Sequence, residues 1–445
     1  MRFQEQLSEV IRSYGSGSLD ETRVLLESLR PPEIANLLES TPPKVRQVIW
    51  RLLDEAEENQ ILQHLHEDVL NEFVESMKTE QLAAAADDLD TDDFADILQQ
   101  LPRTISDEVL AMLDASDRAR LEAVLSYPED TAGGLMNTDT ITVRPRHAIE
   151  IVMRYLRLRK ELPASTDALI VVNSREEYVG LLPIAKLLTA DPSVTVREVM
   201  DSAAQVIAVD LSDTEVARIF SEHDLISAPV VDTAGKLLGR ITIDDVVDVI
   251  IEDADEAVLA RAGLDFEEDT FAPIIKSARR RAVWLSINLA TTFLAAAVIN
   301  IFEETIAKVV ALAVLMPIVA SMGGIAGTQT LTLVIRGIAA GQIGRANLPY
   351  LLNREFVVAI LNGLLLASLV AIVAAVAFDD LLLGGVIALA MLINLIVAAI
   401  SGSLLPSILG AMGIDAAIAG GVVLTTITDV TGFFVFLGLA TWAYA

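Results

Sequence analysis

Five apolar stretches, at about 282–302, 306–340, 352–378, 381–411 and 416–445, are each long enough to cross a bilayer. In hydrocarbon a single segment satisfies all of its backbone N–H and C=O groups only as a helix, so these stretches predict a five-helix transmembrane domain. Charge divides the chain in the same way. Residues 1–270 carry 24 Lys and Arg against 55 Asp and Glu, whereas residues 271–445 carry 8 against 7. An acidic soluble half therefore precedes a nearly uncharged membrane half. A surface that acidic repels nucleic acid and anionic headgroups and attracts cations. The absence of cysteine excludes disulfides, thiolate zinc sites and cysteine nucleophiles. No nucleophile-and-base pair or metal-hydrolase spacing appears, so an enzyme is not expected. The opening residues MRFQEQLSEVIRSYG hold no apolar core of signal-peptide length. Arg279 to Arg281, Arg336, Arg345 and Arg354 lie before the first stretch and between the second and third, while Glu303, Glu304, Asp379 and Asp380 occupy other loops. The positive-inside rule then puts the acidic half in the cytoplasm and the C-terminus outside.

The last stretch contains Thr425-Thr426-Ile427-Thr428-Asp429-Val430-Thr431-Gly432, and Asp429 is its only charged side chain. A carboxylate in hydrocarbon costs roughly 2.5–3.5 kcal/mol unless it faces a bundle interior or a wet cavity. Hydroxyl oxygens around one fixed negative charge suit a hard cation such as Mg²⁺ or Ca²⁺ that keeps part of its water shell. The alternative is a protonated Asp bonded to a neighbouring helix. The second stretch is too long for one straight crossing. It holds Pro317 and then Gly323-Gly324-Ile325-Ala326-Gly327-Thr328-Gln329-Thr330, a run that can open backbone carbonyls and lets helices approach. Beside an intramembrane Asp, these residues point to a cavity lining, with Asp429, Thr425, Gly324 and Gly327 as candidate pore ligands.

Residues 1–126 read as an all-α acidic head of short helices, each started by Pro or Asp. His64 and His66 stand two apart, on different helix faces, and read as surface residues. The cluster Asp87, Asp88, Asp90, Asp92, Asp93, Asp96 is denser than capping needs, and Asp92 and Asp96 share a helix face where like charges repel. Between 131 and 251 a shift of 59 residues lays Val171-Val172-Asn173 on Val230-Val231-Asp232 and Gly180 on Gly239. Each copy reads as strand, turn, strand and helix, with another helix leading in. This tandem α/β unit resembles a pair of CBS domains, which often bind adenine nucleotides. The nucleotide pattern of such domains is approximated by Gly239, Thr242 and Asp245, whereas Pro183 and Lys186 replace its polar positions in the first copy. The resemblance implies one site for ATP or another adenine nucleotide, with plain packing of the pair as the alternative.

From Asp244 the pattern turns helical, and Asp244, Asp248, Glu252 and Asp255 with Glu256 form one negative stripe, opposite an apolar face of Val246, Val247, Ile250, Ile251 and Ala254 that is expected to pack. A stripe with few basic residues nearby opposes folding unless divalent cations bridge it. Candidate regulatory ligands are therefore Asp92, Asp96, Asp244, Asp245, Asp248, Glu252, Asp253, Asp255 and Glu256. The helix is expected to run without a break to about residue 277 and to join the first span directly.

The order of acidic helical head (1–126), CBS domains (127–198 and 199–251), acidic connecting helix (252–277, beginning near 244) and transmembrane pore domain (278–445) is similar to the MgtE family of magnesium transporters. Tyr127-Pro128-Glu129-Asp130-Thr131-Ala132-Gly133-Gly134-Leu135-Met136, Gly323-Gly324 with Gly327 and Gln329, and Asp429-Val430-Thr431-Gly432 carry the resemblance. It implies a homodimer with one pore on its two-fold axis, Asp429 holding hydrated Mg²⁺, and closure by cytosolic Mg²⁺ on the acidic domains. Ile325 and Thr328 stand where many members have Asn, which leaves Co²⁺, Ni²⁺ and Mn²⁺ as alternative cargo. A membrane-anchored nucleotide sensor without transport is the reading from another class.

Overall fold

The structure, a computed structural model, describes residues 19–445 apart from 87–88, 160–161, 164, 261–263, 265–268 and 345. Asp87, Asp88, Arg345 and the opening 15 residues, all used above, lie outside that description. The chain divides into two compact units.

The first unit begins with short helices: α1 (Leu19–Leu26), α2 (Pro31–Glu39), α3 (Pro43–Trp50), α4 (Glu55–Leu62), α5 (Glu67–Val74), α6 (Thr79–Ala85), α7 (Thr91–Gln99), α8 (Arg103–Met112) and α9 (Ala115–Val124). Prolines open α2 and α3, where a missing N–H costs nothing, and Asp54 and Asp114 cap α4 and α9 by accepting from the amides of Glu57 and Asp117. Helices this short are marginal alone. A shared core that includes Leu38, Ile61, Leu62, Phe73, Leu82, Phe94 and Val109 holds them together. Buried Arg46 is fully occupied. It donates to the carbonyls of Leu38 (2.9 Å) and Thr41 (3.1 Å) and pairs with Glu72 and Asp269, each at 3.0 Å.

The repeat has the expected form. In the first copy β1 (Thr142–Val143) lies parallel to β2 (Ala168–Val172), which pairs antiparallel with β3 (Tyr178–Pro183); helices α10 (Ile149–Leu158), α11 (Ile184–Thr189) and α12 (Val196–Val199) surround them. The second copy repeats this with β4 (Ile207–Ala208), α13 (Asp213–His223), β5 (Ser227–Val231) and β6 (Leu237–Thr242). The 59-residue shift holds at the level of hydrogen bonds. Asn173 Oδ1 accepts from the amides of Arg175 and Glu177, and Asp232 Oδ1 from those of Ala234 and Lys236. The division at residue 127 is less simple than expected. Ala132 and Gly133 donate to the carbonyls of Leu211 and Val209, and Asn137 exchanges backbone bonds with Arg240, so the 131–137 stretch packs on the second copy. That copy shares its core with the head helices, whereas the first keeps its own.

Helix α14 (Ile243–Ala260) carries the negative stripe. It is shorter than expected. The Leu264 amide reaches back to the Leu259 carbonyl (3.1 Å), a six-to-one closure typical of a helix end, and residues 264 and 269–273 are not helical. The expected join to the first span is therefore interrupted. The apolar face also differs: Val246 and Val249 are buried, but Val247, Ile250 and Ile251 are 43%, 45% and 50% exposed.

The second unit holds α15 (Ile274–Ile301), α16 (Glu303–Lys308), α17 (Ala311–Ala339), α18 (Leu348–Phe378), α19 (Leu381–Ala411) and α20 (Ala416–Ala443). All but α16 are long and apolar enough to cross a membrane. The first begins at Ile274 and includes Lys276 and Arg279 to Arg281, ahead of the expected boundary. The second stretch is broken, but between α16 and α17, at the β-branched pair Val309-Val310; α17 runs unbroken through Pro317 and the glycine run. Those glycines serve close approach. A Cβ on Gly402 of α19 would lie 2.7 Å from the Gly327 carbonyl oxygen, and one on Gly323 would lie 2.3 Å from Asn394 Nδ2. Helix α19 is central and half buried, whereas α15 is almost wholly exposed.

Candidate functional site

In the membrane unit the sequence Thr425 to Asp429 forms just over one turn of α20. The hydroxyl protons are committed to the helix: Thr425 donates toward the carbonyls of Gly421 (3.0 Å) and Val422 (3.1 Å), Thr426 to Val422 (2.7 Å) and Thr428 to Thr425 (3.0 Å). This back-bonding leaves the hydroxyl oxygens as acceptors. Asp429 is half-buried, and among the described residues no hydrogen bond or ion pair reaches its carboxylate. An unpaired carboxylate with neutral oxygens nearby is a ligand set for a hard cation. Gly324 faces this turn: a Cβ there would sit 3.9 Å from Thr425 Cγ2. Gly327 is covered by Leu424, with a Cβ position 3.0 Å away, so its place is in helix packing.

Behind that turn lies Asn394, which the sequence reading did not single out. It is 1% exposed and its Nδ2 donates to the Val319 carbonyl at 2.9 Å. The amide fills the space left by Gly323 on α17 and Gly432 on α20, whose Cβ positions fall 2.3 and 2.8 Å from Nδ2. Its chemistry is modest. One Asn in a long apolar run carries no sequence signal beyond its polarity.

In the first unit the start of α7 meets the first turns of α14. Carboxylate oxygens of Asp90, Asp92 and Asp93 lie within 4.8 Å of one another. Asp92 is 6% exposed, and its Oδ1 has no hydrogen-bond partner among the described residues. Burial, then Asp245, Asp93 and Asp90, raise the Asp92 pKa well above the usual carboxylate range. Burial and the charge of Asp245 push Asp93 up to about 7, and burial with Glu129 and Asp93 pushes Asp96 up to about 8. On α14, burial and Asp244 raise Asp245 to about 6, against hydrogen bonds from Thr242 that lower it. Asp248 and Glu252 are raised by burial as well. Of the expected regulatory ligands, Asp92, Asp96, Asp244, Asp245, Asp248 and Glu252 thus influence one another, and Asp90, Asp93 and Glu129 join them. Asp253 responds instead to burial and Asp213, and Asp255 and Glu256 are exposed farther along the helix. His64 and His66, exposed as expected, lower the Asp248 pKa, so both sit near the cluster.

Asp90 occupies the N-cap position and Asp93 the first turn of α7. Their second role depends on α14, about 150 residues away. Such a gathering of carboxylates, with oxygen ligands only, suits Mg²⁺ or Ca²⁺.

At the nucleotide pattern, Asp245 Oδ2 accepts from Thr242 Oγ1 (2.9 Å) and, at 3.3 Å, from its amide. Gly239 is covered: a Cβ there would lie 2.7 Å from the Asn137 carbonyl oxygen. Thr242 and Asp245 are brought together, and Gly239 serves the backbone pairing with the 131–137 stretch.

Residues 316–439 match the family described as divalent cation transporter, MgtE; residues 29–130 match the MgtE intracellular N domain and residues 196–252 the CBS domain. A magnesium transporter MgtE of Thermus thermophilus is 30% identical over 95% of this chain and 95% of its own. One of Bacillus subtilis is 29% identical over 99% and 98%. Among solved structures, the cytosolic domain of the Mg²⁺ channel MgtE in complex with ATP is similar at 30% identity and a TM-score of 0.50, over 55% of this chain and 99% of that one.

Proposed function

Because the chain belongs to the MgtE family of divalent cation transporters, we propose that it carries Mg²⁺ across the membrane along a path lined by Asp429 and is closed by Mg²⁺ on the acidic cluster of its soluble unit. The observation that carries the pore reading is Asp429, a carboxylate on a membrane helix with no cation paired to it among the described residues and with Thr425 and Gly324 beside it. In a homodimer two such carboxylates would hold a divalent ion far more strongly than a monovalent one, and retained water would favour its exit. The exposed Val247, Ile250 and Ile251 on α14 support a second copy, since an apolar face of that kind calls for cover. The basic residues at the start of α15 support a cytoplasmic first unit and an outside C-terminus.

Cytosolic Mg²⁺ would bridge Asp90, Asp92, Asp93 and Asp96 to Asp244, Asp245, Asp248 and Glu252, turning repulsion into cross-links. Without it the carboxylates drive the two elements apart and release the pore. The ion acts because it binds the compact arrangement better than the open one. Asp253, Asp255 and Glu256 extend the same acidic surface. The ATP held by the similar cytosolic domain supports an adenine nucleotide at Thr242 and Asp245, so nucleotide and metal would meet at Asp245. The relatives favour Mg²⁺ over Co²⁺, Ni²⁺ and Mn²⁺, and a sensor without transport is not favoured. The test is Mg²⁺ uptake into liposomes by Asp429→Asn. Uptake should be lost with the protein folded and inserted, and uptake equal to that of the unaltered protein would remove Asp429 from the path.

A further inference from the structure

The membrane unit has a second polar site that the Asp429 path does not use. On the side of α17 nearly opposite Gly324, at 100° per residue, a cavity of about 250 Å³ is lined by Gln329 and Thr330 and, from α18, by Arg354, Glu355 and Asn362. Glu355 is 7% exposed. One carboxylate oxygen accepts from Arg354 Nη1 at 2.6 Å and the other from Thr330 Oγ1 at 3.4 Å. The two partners differ sharply in exposure, 53% for the Arg354 side chain and 9% for Glu355. The acid is therefore fixed inside, while the guanidinium is free to turn outward. A buried carboxylate answered only by a half-exposed guanidinium keeps much of its desolvation cost. Gln329, Thr330, Asn362 and Glu355 share the cavity with apolar Leu333, Val358 and Leu395.

We infer that this cavity is a second site for a hard divalent cation, lateral to the Asp429 path. Glu355 is its anionic ligand, Thr330, Gln329 and Asn362 supply neutral oxygens, and Arg354 is a resident counter-ion that the divalent ion displaces. The ligand set follows from hardness: one carboxylate, one hydroxyl and two amide oxygens, with no sulfur or imidazole. The size fits, since six waters occupy about 180 Å³ at about 30 Å³ each, so an ion keeping most of its shell can enter. Competition from Arg354 keeps the affinity modest, as a site beside a transport path requires if the ion is to leave.

The chain has no cysteine, so one introduced at Leu361, which is exposed and adjacent to Asn362, takes a single nitroxide label. The full chain carrying Asp429→Asn, in nanodiscs, removes the pore ion and makes the result independent of the pore assignment. Paramagnetic Mn²⁺ is the probe. The account expects saturable broadening of the label that Mg²⁺ reverses, that Glu355→Gln abolishes, and that Arg354→Gln moves to lower Mn²⁺ by about tenfold, as loss of one competing charge at a half-exposed position requires. Should Glu355→Gln fail to fold, Thr330→Val and Arg354→Gln carry the test, shifting the midpoint up and down. Absence of saturable broadening, broadening that survives Glu355→Gln, or a midpoint indifferent to both other variants would overturn the site.

Discussion

Raising the pH from 6 to 8 should move the Mg²⁺ concentration that compacts the soluble unit sharply downward. Asp245, Asp93 and Asp96 have pKa values raised to about 6, 7 and 8. An ordinary aspartate, as in the open chain, titrates near about 3.9. The compact form thus binds more protons than the open one between about pH 4 and pH 8, so without metal it is favoured in acid and loses stability as the pH climbs through that window. Mg²⁺ needs the same oxygens ionised and must expel whatever protons remain. Each displaced proton weakens apparent binding about tenfold per pH unit below its pKa. From pH 6 to 8 Asp93 then contributes about one decade, Asp96 about 1.7 and Asp245 about 0.3, roughly three decades together or about thirtyfold in midpoint when two ions share them, and Asp92, raised by its burial, adds to this in the same direction. The assay is energy transfer between pH-insensitive dyes on cysteines introduced at the exposed Gln60 and Arg175, followed across Mg²⁺ titrations at fixed ionic strength. Asp93→Asn and Asp96→Asn should each flatten the pH dependence. A midpoint that ignores pH, or rises with it, would refute the view that these half-buried carboxylates are the metal ligands.

Two substitutions probe the frame around the sites. Arg46→Ala strands the buried Asp269 and half-buried Glu72 carboxylates, and should cost the first unit about 3–5 kcal/mol, read as a lower denaturant midpoint. Asp269 stands five residues before α15, so the same variant should also weaken closure by Mg²⁺, seen as flux that persists at high internal Mg²⁺. Gly323→Ala drives a methyl to within 2.3 Å of the Asn394 amide and should destabilise the membrane unit by about 1–3 kcal/mol with loss of flux, whereas Gly344→Ala, in open space, should melt like the unaltered protein.

What was legible in the sequence was what depends on near neighbours. The 59-residue shift is visible because Asn173 and Asp232 each organise the same turn from within five residues. Asp429 stands out because charge in an apolar run needs no partner to be noticed. What was missed depends on distance along the chain. Asp93 and Glu129 acquire their meaning from α14, and Asn394 from two glycines on different helices. The run from Pro317 through the glycines stays helical, because a proline inside a membrane helix forfeits one bond that packing neighbours can absorb, while the break itself fell at Val309-Val310. The apolar face of α14 was read as packed since periodicity shows that a face exists, not what covers it.

The central claim, that Mg²⁺ both passes this protein and closes it, is tested most directly by Mg²⁺ flux into liposomes as a function of Mg²⁺ on the cytosolic side. The account predicts flux that falls steeply as that concentration rises, and a combined Asp93→Asn, Asp96→Asn and Asp248→Asn variant that conducts but no longer closes over the same range. Flux indifferent to cytosolic Mg²⁺, or suppressed equally by K⁺ at matched ionic strength, would contradict it.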